Sequence, residues 1–448
     1  MSKVSSISRT LAWRSILEYQ RSGRDPKSIL DSLVTPDIPR ADLDLIWELS
    51  MGTIRYLKKL DHIAQNFIKA PLLSQKPEIL AALRIGLYQL TQTTGIPEYA
   101  AVDDTVDIVD RALSKKDAGF VNAILRTFLR ERSTIKYPDP QVDPINYLAV
   151  FHSYPEWLVK RWHEKFGFDE TEEILISNNR RPKTSFKIIT QKIDRKSAIE
   201  KLKKEGIEIE ASRFLPDFIA TRNAGAVLRS SLFTEGYLNV QDESQGLPLY
   251  LLDSPPGETV LDLCSAPGGK TIALADHVGP RGKVVSIDSD PRRIDKIKQN
   301  AARVGFSNID IIETDLFEFA TSQKFRYILL DVPCSGFGTL SRNADLKWKK
   351  REKDIERLSK LQLKMLDKAS SHLSDNGCLV YSTCTTEPEE IEEVIGIFLE
   401  SHARYGLENG NSSLLKPFKS DVGIYRSWPH KHGIDGGGFA RLRKGNAI

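Results

Sequence analysis

The chain has 448 residues, 28% charged and 40% hydrophobic, with four Cys, 28 Gly and 22 Pro. That hydrophobic share excludes a mainly disordered chain, the Gly and Pro counts exclude a collagen-like one, and four dispersed Cys exclude a disulfide-stapled scaffold; roughly two to four domains in a reducing compartment are expected. The formal charge of +4 is small, but the basic excess sits in residues 1–230, which is compatible with a nucleic-acid partner and equally with ordinary surface charge.

Met1 to Ser5 carries no apolar stretch, and the richest apolar run, Ile79 to Leu90, is interrupted by Arg84. No signal peptide and no membrane span are expected, so the chain reads as soluble and cytoplasmic. Residues 1–137 read as helix after helix. Segments 8–20, 41–54, 57–70, 78–90, 102–112 and 119–132 place apolar residues at i, i+3, i+4 and i+7, such as Leu60, Ile63, Ala64 and Phe67, which predicts an all-α bundle whose stripes form its core. Tyr137-Pro138-Asp139-Pro140 breaks the pattern. Residues 138–236 then mix helices (157–165, 170–178, 196–205) with short strands (184–189, 207–211, 218–220), a linker and small α+β segment. The third part is 237–448. From about 241 short apolar strands at 260–263, 283–288, 309–313, 327–331 and 378–382 alternate with helices at 270–277, 291–304, 351–373 and 389–402, which predicts an α/β domain with a doubly wound parallel sheet. Residues 405–420 read as an irregular connection.

The first strand of that sheet runs into Cys264-Ser265-Ala266-Pro267-Gly268-Gly269-Lys270 and then a helix. In an open α/β sheet ligands sit beyond the carboxyl ends of the strands. The loop lacks the glycine spacing of a Walker A loop, and Ala-Pro-Gly-Gly lacks the dinucleotide fingerprint. What remains is S-adenosylmethionine, which has no phosphate and needs only close backbone approach. The later strand ends support it. Asp288 can accept from both ribose hydroxyls and Asp315 from an exocyclic amine such as that of adenine, while Asp262 and Asp331 close the first and fourth strands.

Two cysteines, Cys334 and Cys384, follow the fourth and fifth strands, so both thiols can face one pocket. A metal pair, a disulfide or two inert packed thiols are the plainer readings, but no further ligands at metal spacing accompany them. A thiol beside a sulfonium methyl donor has a specific use. Cytosine C5 is a poor nucleophile until a thiolate adds to C6; a base then removes the C5 proton and the thiolate leaves. Adding to C6 leaves charge on ring N3 and O2, so an acid near N3 and N4 is required, a place Asp331, three residues before Cys334, can fill; the base must be unpaired or flipped out of a duplex. On the residues alone Cys334 is the preferred nucleophile. Cys378, inside a strand, and Cys264 read as packing residues.

Val240-Gln241-Asp242, Asp262 to Lys270, Asp331 to Gly336, and Ser382-Thr383-Cys384 with Pro388-Glu389-Glu390 stand in an order and spacing that resembles the RNA cytosine-C5 methyltransferases of the Nol1/Nop2/Sun family, over nearly the whole chain. Within that family the chain is similar to the bacterial Sun/Fmu type, also called RsmB, which acts on 16S ribosomal RNA. Gly86 to Leu90, Ile96-Pro97 and Gly119 to Arg126 resemble recurrent segments of the NusB RNA-binding bundle. The resemblance implies a Rossmann-like methyltransferase domain behind a NusB-like bundle and a small RNA-binding segment. It implies that Cys264, Ser265, Ala266, Pro267, Gly268, Gly269 and Lys270, with Asp288, Asp315 and Asp331, form the S-adenosylmethionine pocket, with no metal. It also implies that Cys384 is the nucleophile and Cys334 assists product release, against the choice from residues alone. The implied partner is 16S ribosomal RNA, free or within a small-subunit assembly intermediate, and the chain is expected to be a monomer. Rival readings are a transfer-RNA enzyme, a catalytically dead assembly factor and a small-molecule methyltransferase. The chain departs from the family pattern at Ile391, where Asn is usual, at Ser341 to Asp345 and at Ser244-Gln245-Gly246. Two basic clusters, Lys347-Trp348-Lys349-Lys350-Arg351 and Arg180-Arg181-Pro182-Lys183, are candidate RNA contacts or solvated faces.

Overall fold

The computed structural model describes residues 2–446, with side chains from Ile7 onward. Contacts divide the chain into two compact units, one made of residues up to Asn179 with Asn343–Lys350, the other of Arg180–Arg342 with the residues from Arg351 on. The breaks expected at 137/138 and 236/237 fall inside the first and the second unit. No helix among the described residues is long and apolar enough to cross a membrane.

The first unit is helical throughout. Its central helix, Pro77–Gln92, is buried without interruption from Ile79 to Gln89, the pattern of a helix surrounded on all sides. Arg84 tolerates this because its guanidinium donates twice to Asp61, at 2.7 and 2.6 Å. Around it pack Ser2–Ser22, Arg40–Arg55, Leu57–Gln65, Glu98–Ala112 and Lys115–Glu131. The helix expected to run to Ala70 stops at Gln65, whose side chain bonds Ile68 O, Ala70 O and Leu72 N and satisfies the frayed turn before Pro71. Pro26–Leu33 is a helix that the periodicity did not reveal; Asp25 caps it by accepting from Ser28 N. The unit ends with Pro144–Phe151 and Glu156–Asn179, the latter interrupted at Gly167.

Segment Asn343–Lys350 of this unit corrects one expectation. Lys347 does not lie on a solvated basic face. It is buried, with its ammonium 3.7 Å from the centre of the Tyr154 ring and donating to Asn179 Oδ1 at 3.3 Å. The Trp348 indole N–H donates to Ile54 O at 2.7 Å. Amphipathic side chains at helical spacing read alike in sequence whether they face water or a ring.

The second unit holds two sheets. β1 (Thr184–Ile188), β2 (Glu210–Ala211), β3 (Phe218–Thr221) and β4 (Leu238–Val240) form an antiparallel sheet in the order β2-β3-β1-β4, backed by the helix Arg195–Lys204 over Phe186, Ile219 and Leu238. The large sheet contains β5 (Thr259–Leu263), β6 (Lys283–Asp288), β7 (Ile309–Glu313), β8 (Phe325–Asp331), β9 (Leu373–Thr383), β10 (Tyr405–Leu407), β11 (Lys419–Asp421), β12 (Ile424–Ser427) and β13 (Gly437–Lys444). Its order is β11-β12-β13-β9-β8-β5-β6-β7, with β10 on β13. The five strands read from the sequence form its parallel part, β7-β6-β5-β8-β9. Beyond that doubly wound parallel part the sheet is mixed, with β13 pairing antiparallel with β9 and β12 with β13. The stretch expected to be irregular contains β10 and a short 3-10 turn, Ser413–Phe418.

Successive residues of the central strands feed opposite cores, as a two-residue period requires. Leu261, Ile328 and Leu379 face the helices Glu352–Ser371 and Glu392–Ser401, while Val260, Leu329 and Val380 face Gly269–Val278 and Leu247–Leu252. After β5 the chain adds strands on one side and then returns to place β8 on the other. The strand order thus reverses between β5 and β8, which leaves a crevice at their carboxyl ends.

Burial, with the Arg55 charge adding, pushes the Lys347 ammonium well below the usual lysine range. Between its folded and unfolded values the unfolded chain binds the extra proton, so stability rises with pH across that window. Lys347→Met is expected to raise the melting temperature at pH 7. That advantage should shrink as the pH approaches 10, by ~1.4 kcal/mol for each unit crossed; parallel melting curves across pH 7–10 would contradict a buried ammonium.

Candidate active site

The crevice is a cavity of about 500 Å³ at the carboxyl ends of β5, β6, β7, β8 and β9, within the range of small-molecule sites. At the end of β5, Cys264 takes a left-handed φ of 59° and turns the chain. Ser265 is then anchored, its N–H and hydroxyl both donating to Ile287 O on β6. Gly268 has φ 98°, and a Cβ there would sit 3.1 Å from the Ile297 backbone, so the loop can close on the next helix only with glycine.

Of the expected loop residues, Cys264 and Ala266 line the cavity with Asp288, Asp315 and Asp331. Ser265, Pro267, Gly268, Gly269 and Lys270 do not line it; they shape it from behind. Asp288 accepts from Ala266 N at 2.9 Å and Asp290 N at 3.1 Å, which ties the loop to β6. Asp315 accepts from Phe317 N and leaves its other oxygen toward solvent. Burial and the neighbouring Asp288 push the Cys264 thiol up, in keeping with a packing role.

Lys270 is buried, and its ammonium donates to Asp331 Oδ2 at 2.8 Å and to Gln245 Oε1. Ser382 Oγ donates to Asp331 Oδ1 at 2.9 Å. Asp331 is thereby fixed at the cavity wall as a carboxylate that accepts hydrogen bonds. Asp262 does not reach the cavity. It lies buried beneath the loop, accepts from Thr271 Oγ1 at 2.6 Å and has no partner on its second oxygen.

The two cysteines meet. Cys334 Sγ and Cys384 Sγ are 2.6 Å apart, both half-buried at the cavity, and both are free thiols. The Cys384 N–H points at Cys334 Sγ at 3.3 Å. The contact with Cys384, burial and the charge of Glu390 together push Cys334 well above the usual thiol range. Gly338 N donates to Cys384 O at 3.0 Å and Gly436 N to Gly338 O at 2.7 Å. A Cβ on Gly338 would fall 2.1 Å from Gly436 O, so this strap next to Cys384 requires glycine. Among the described residues no group of three or more His, Cys, Asp or Glu side chains converges as a metal site would.

Known proteins share the chain's domain composition. The family model for the 16S rRNA methyltransferase RsmB/F matches residues 249–443, the NusB family 6–130, and the RsmF/B-like ferredoxin-like domain 154–228. The probable ribosomal RNA small subunit methyltransferase B of Bacillus subtilis is 33% identical over 444 residues, covering 97% of this chain and 98% of its own. The chain belongs to the RsmB methyltransferase family. A solved protein designated PH0851 is 26% identical with a TM-score of 0.77, over 97% of this chain and 99% of its own. A methyltransferase homologue from Pyrococcus horikoshii is 27% identical with a TM-score of 0.59, over 68% of this chain and 100% of its own.

Where this member departs from the usual RsmB family pattern, the structure shows the replacement. Ile391 is fully buried and packs on Gly438. Gln245 holds the Lys270 ammonium. Arg342 joins Asp242 and Asp435, at 2.6 and 2.8 Å, which gives the acid of the Val-Gln-Asp motif a structural partner. Sequence reasoning missed Glu390 and Gln362 as neighbours of the thiols. Glu390 was visible only as part of a motif, and Gln362 sits on an amphipathic helix with no signal of its own. Arg293 and Phe317 also line the cavity, and they too carried no pattern.

Burial pushes the Asp262 carboxyl up to about 7, with Asp331 and Asp288 adding and Thr271 opposing. Its folded value lies above its unfolded one, so the folded chain binds the extra proton and stability falls as the pH rises from about 4 through 7. Asp262→Asn keeps an acceptor for the Thr271 hydroxyl. Relative to wild type it is expected to melt higher at pH 8, by a few kcal/mol at ~1.4 per unit crossed, and at nearly the same temperature at pH 4.5. A pH-independent difference would refute the buried acid.

Proposed function

We propose that this methyltransferase carries the methyl group of S-adenosylmethionine to C5 of a cytosine in 16S ribosomal RNA, through a covalent adduct of Cys384 with C6. The observation that carries the reading is the pair of free thiols 2.6 Å apart on one cavity wall, with the strand-end acids Asp288, Asp315 and Asp331 lining the same cavity. The naming of the Bacillus subtilis relative as a ribosomal RNA small subunit methyltransferase supports the substrate class, and the NusB match over 6–130 supports an RNA partner.

The residues fit the methyl donor. Asp288 and Asp315 offer acceptor oxygens where a ribose and an adenine amine would lie, and the apolar Leu316 and Pro333 line the same cavity. When bound, S-adenosylmethionine supplies an electrophilic methyl group on a positively charged sulfur. Cys384, as thiolate, adds to C6 and makes C5 nucleophilic. Asp331, held by Lys270 and Ser382, accepts a hydrogen bond from the cytosine N4 amine and keeps the ring in register with Cys384. After methyl transfer the C5 proton must leave before the C6–S bond breaks. Once Cys384 is tied up in the adduct its charge no longer opposes ionisation of Cys334, 2.6 Å away. Cys334, having given its proton to solvent, takes the C5 proton, and the C6–S bond breaks to return Cys384 as thiolate. A target base reaches the crevice only when unpaired or flipped.

Cys384→Ser is expected to abolish methylation and to form no adduct. Cys334→Ala should lower turnover by ~10²-fold or more, the usual weight of a proton-transfer group, and should accumulate a protein–RNA band on a denaturing gel. Wild-type turnover by Cys384→Ser would remove the nucleophile assignment. Bisulfite sequencing of 16S and transfer RNA, from cells with and without the gene, should show one protected cytosine lost from 16S RNA only.

A further inference from the structure

Glu390 lies in the Pro388–Glu390 turn and is fully buried. Its carboxylate gathers donors from two other parts of the fold. Oε1 accepts from Ser335 N at 2.8 Å and from Gln362 Nε2 at 2.9 Å. Oε2 accepts from Ser335 Oγ at 2.5 Å, and Ser335 Oγ contacts Thr385 Oγ1 at 2.7 Å. Ser335 directly follows Cys334 and Thr385 directly follows Cys384. Gln362, on the helix Glu352–Ser371, also donates to Pro333 O, and the Tyr381 hydroxyl donates to Glu390 O at 2.7 Å. One carboxylate therefore binds the residue after Cys334 directly and reaches the residue after Cys384 through the Ser335 hydroxyl.

We propose that Glu390 is a positioning residue that clamps the two cysteine loops together and, through its negative charge behind Cys334, assigns the thiolate to Cys384. This rests on the reading of Cys384 as nucleophile. Two thiols in contact cannot both carry charge, so the site needs a device that decides between them. Other charges near Cys334 do not discriminate. Asp331 stands on its own loop, and Asp288 and Arg293, from the β6 side, face the same cavity with opposite signs. Asp315 is solvated beyond β7, and the helix Glu352–Ser371 presents only the uncharged Leu361, Gln362 and Met365. Glu390 differs because it does not line the cavity and binds Ser335, the residue next to Cys334, and its charge adds to the contact that keeps Cys334 protonated.

The test is site-resolved alkylation of the full chain with iodoacetamide at pH 6–10, read by mass spectrometry without RNA. In the wild type Cys384 should be labelled at lower pH than Cys334. Glu390→Gln should raise Cys334 labelling at pH 7.5 by about tenfold, one pKa unit's worth, and should lower kcat while leaving KM for RNA within about twofold. Glu390→Asp, which keeps the charge, should return Cys334 labelling to the wild-type pH. A Cys334 profile identical in wild type and the Gln variant, or Cys334 labelled first in the wild type, overturns the proposal. Should the Gln variant not fold, the wild-type order and the Asp profile decide in its place. Labelling requires no methylation, so these outcomes stand whatever the substrate assay returns, and a negative result here leaves the Cys384→Ser experiment intact.

Discussion

The parallel pairing of β8 with β9 is the constraint on which the site depends. Its register sets Asp331 opposite Ser382, so both strands end at one height. Cys334 follows three residues after Asp331 and Cys384 two after Ser382. A slip of one residue would turn the strand's side chains to the opposite face and would carry Cys384 out of reach of Cys334. The Ser382–Asp331 hydrogen bond locks that register from the side-chain level. The same pairing gives Tyr381 its place in the core, with its hydroxyl on the Glu390 carbonyl.

Around that pairing the fold spends its buried polar groups on holding loops. Lys270, Asp331, Ser382 and Gln245 form one cluster, and Glu390, Ser335, Thr385 and Gln362 form another. Buried charges are tolerated when each lone pair and proton finds a partner. Both clusters meet that condition at the strand ends, where the chain would otherwise be free loop. Asp262 and Lys347 are the exceptions, each with a thin set of partners, and each lies away from the cavity.

The parallel core, the glycine-bearing loop and the strand-end acids were legible because their signals are local. A short, nearly continuous apolar run marks each parallel strand, because both of its faces are buried, and an acid stands at the end of all but the last. Of the expected cofactor loop only Cys264 and Ala266 line the cavity, because sequence order does not tell which side of a turn faces outward; Lys270 points inward to Asp331. The antiparallel edge was hidden in an apparently irregular region, since short strands such as Tyr405–Leu407 gain their regularity from pairing with β13 rather than from their own pattern. The choice between the two thiols was not readable from spacing. Both follow strand ends, and they differ in contacts made by Glu390 and Gln362 from distant parts of the chain.

One feature of the glycine strap beside Cys384 concerns biosynthesis. Gly338 binds both Cys384 O and Gly436 N, and the Thr383 hydroxyl donates to Gly438 O, 55 positions further along the chain. A nascent chain therefore exposes both thiols before β13 exists to hold them. The frame around the two thiols closes only when the 436–438 stretch, more than 50 positions after Cys384, pairs beside them.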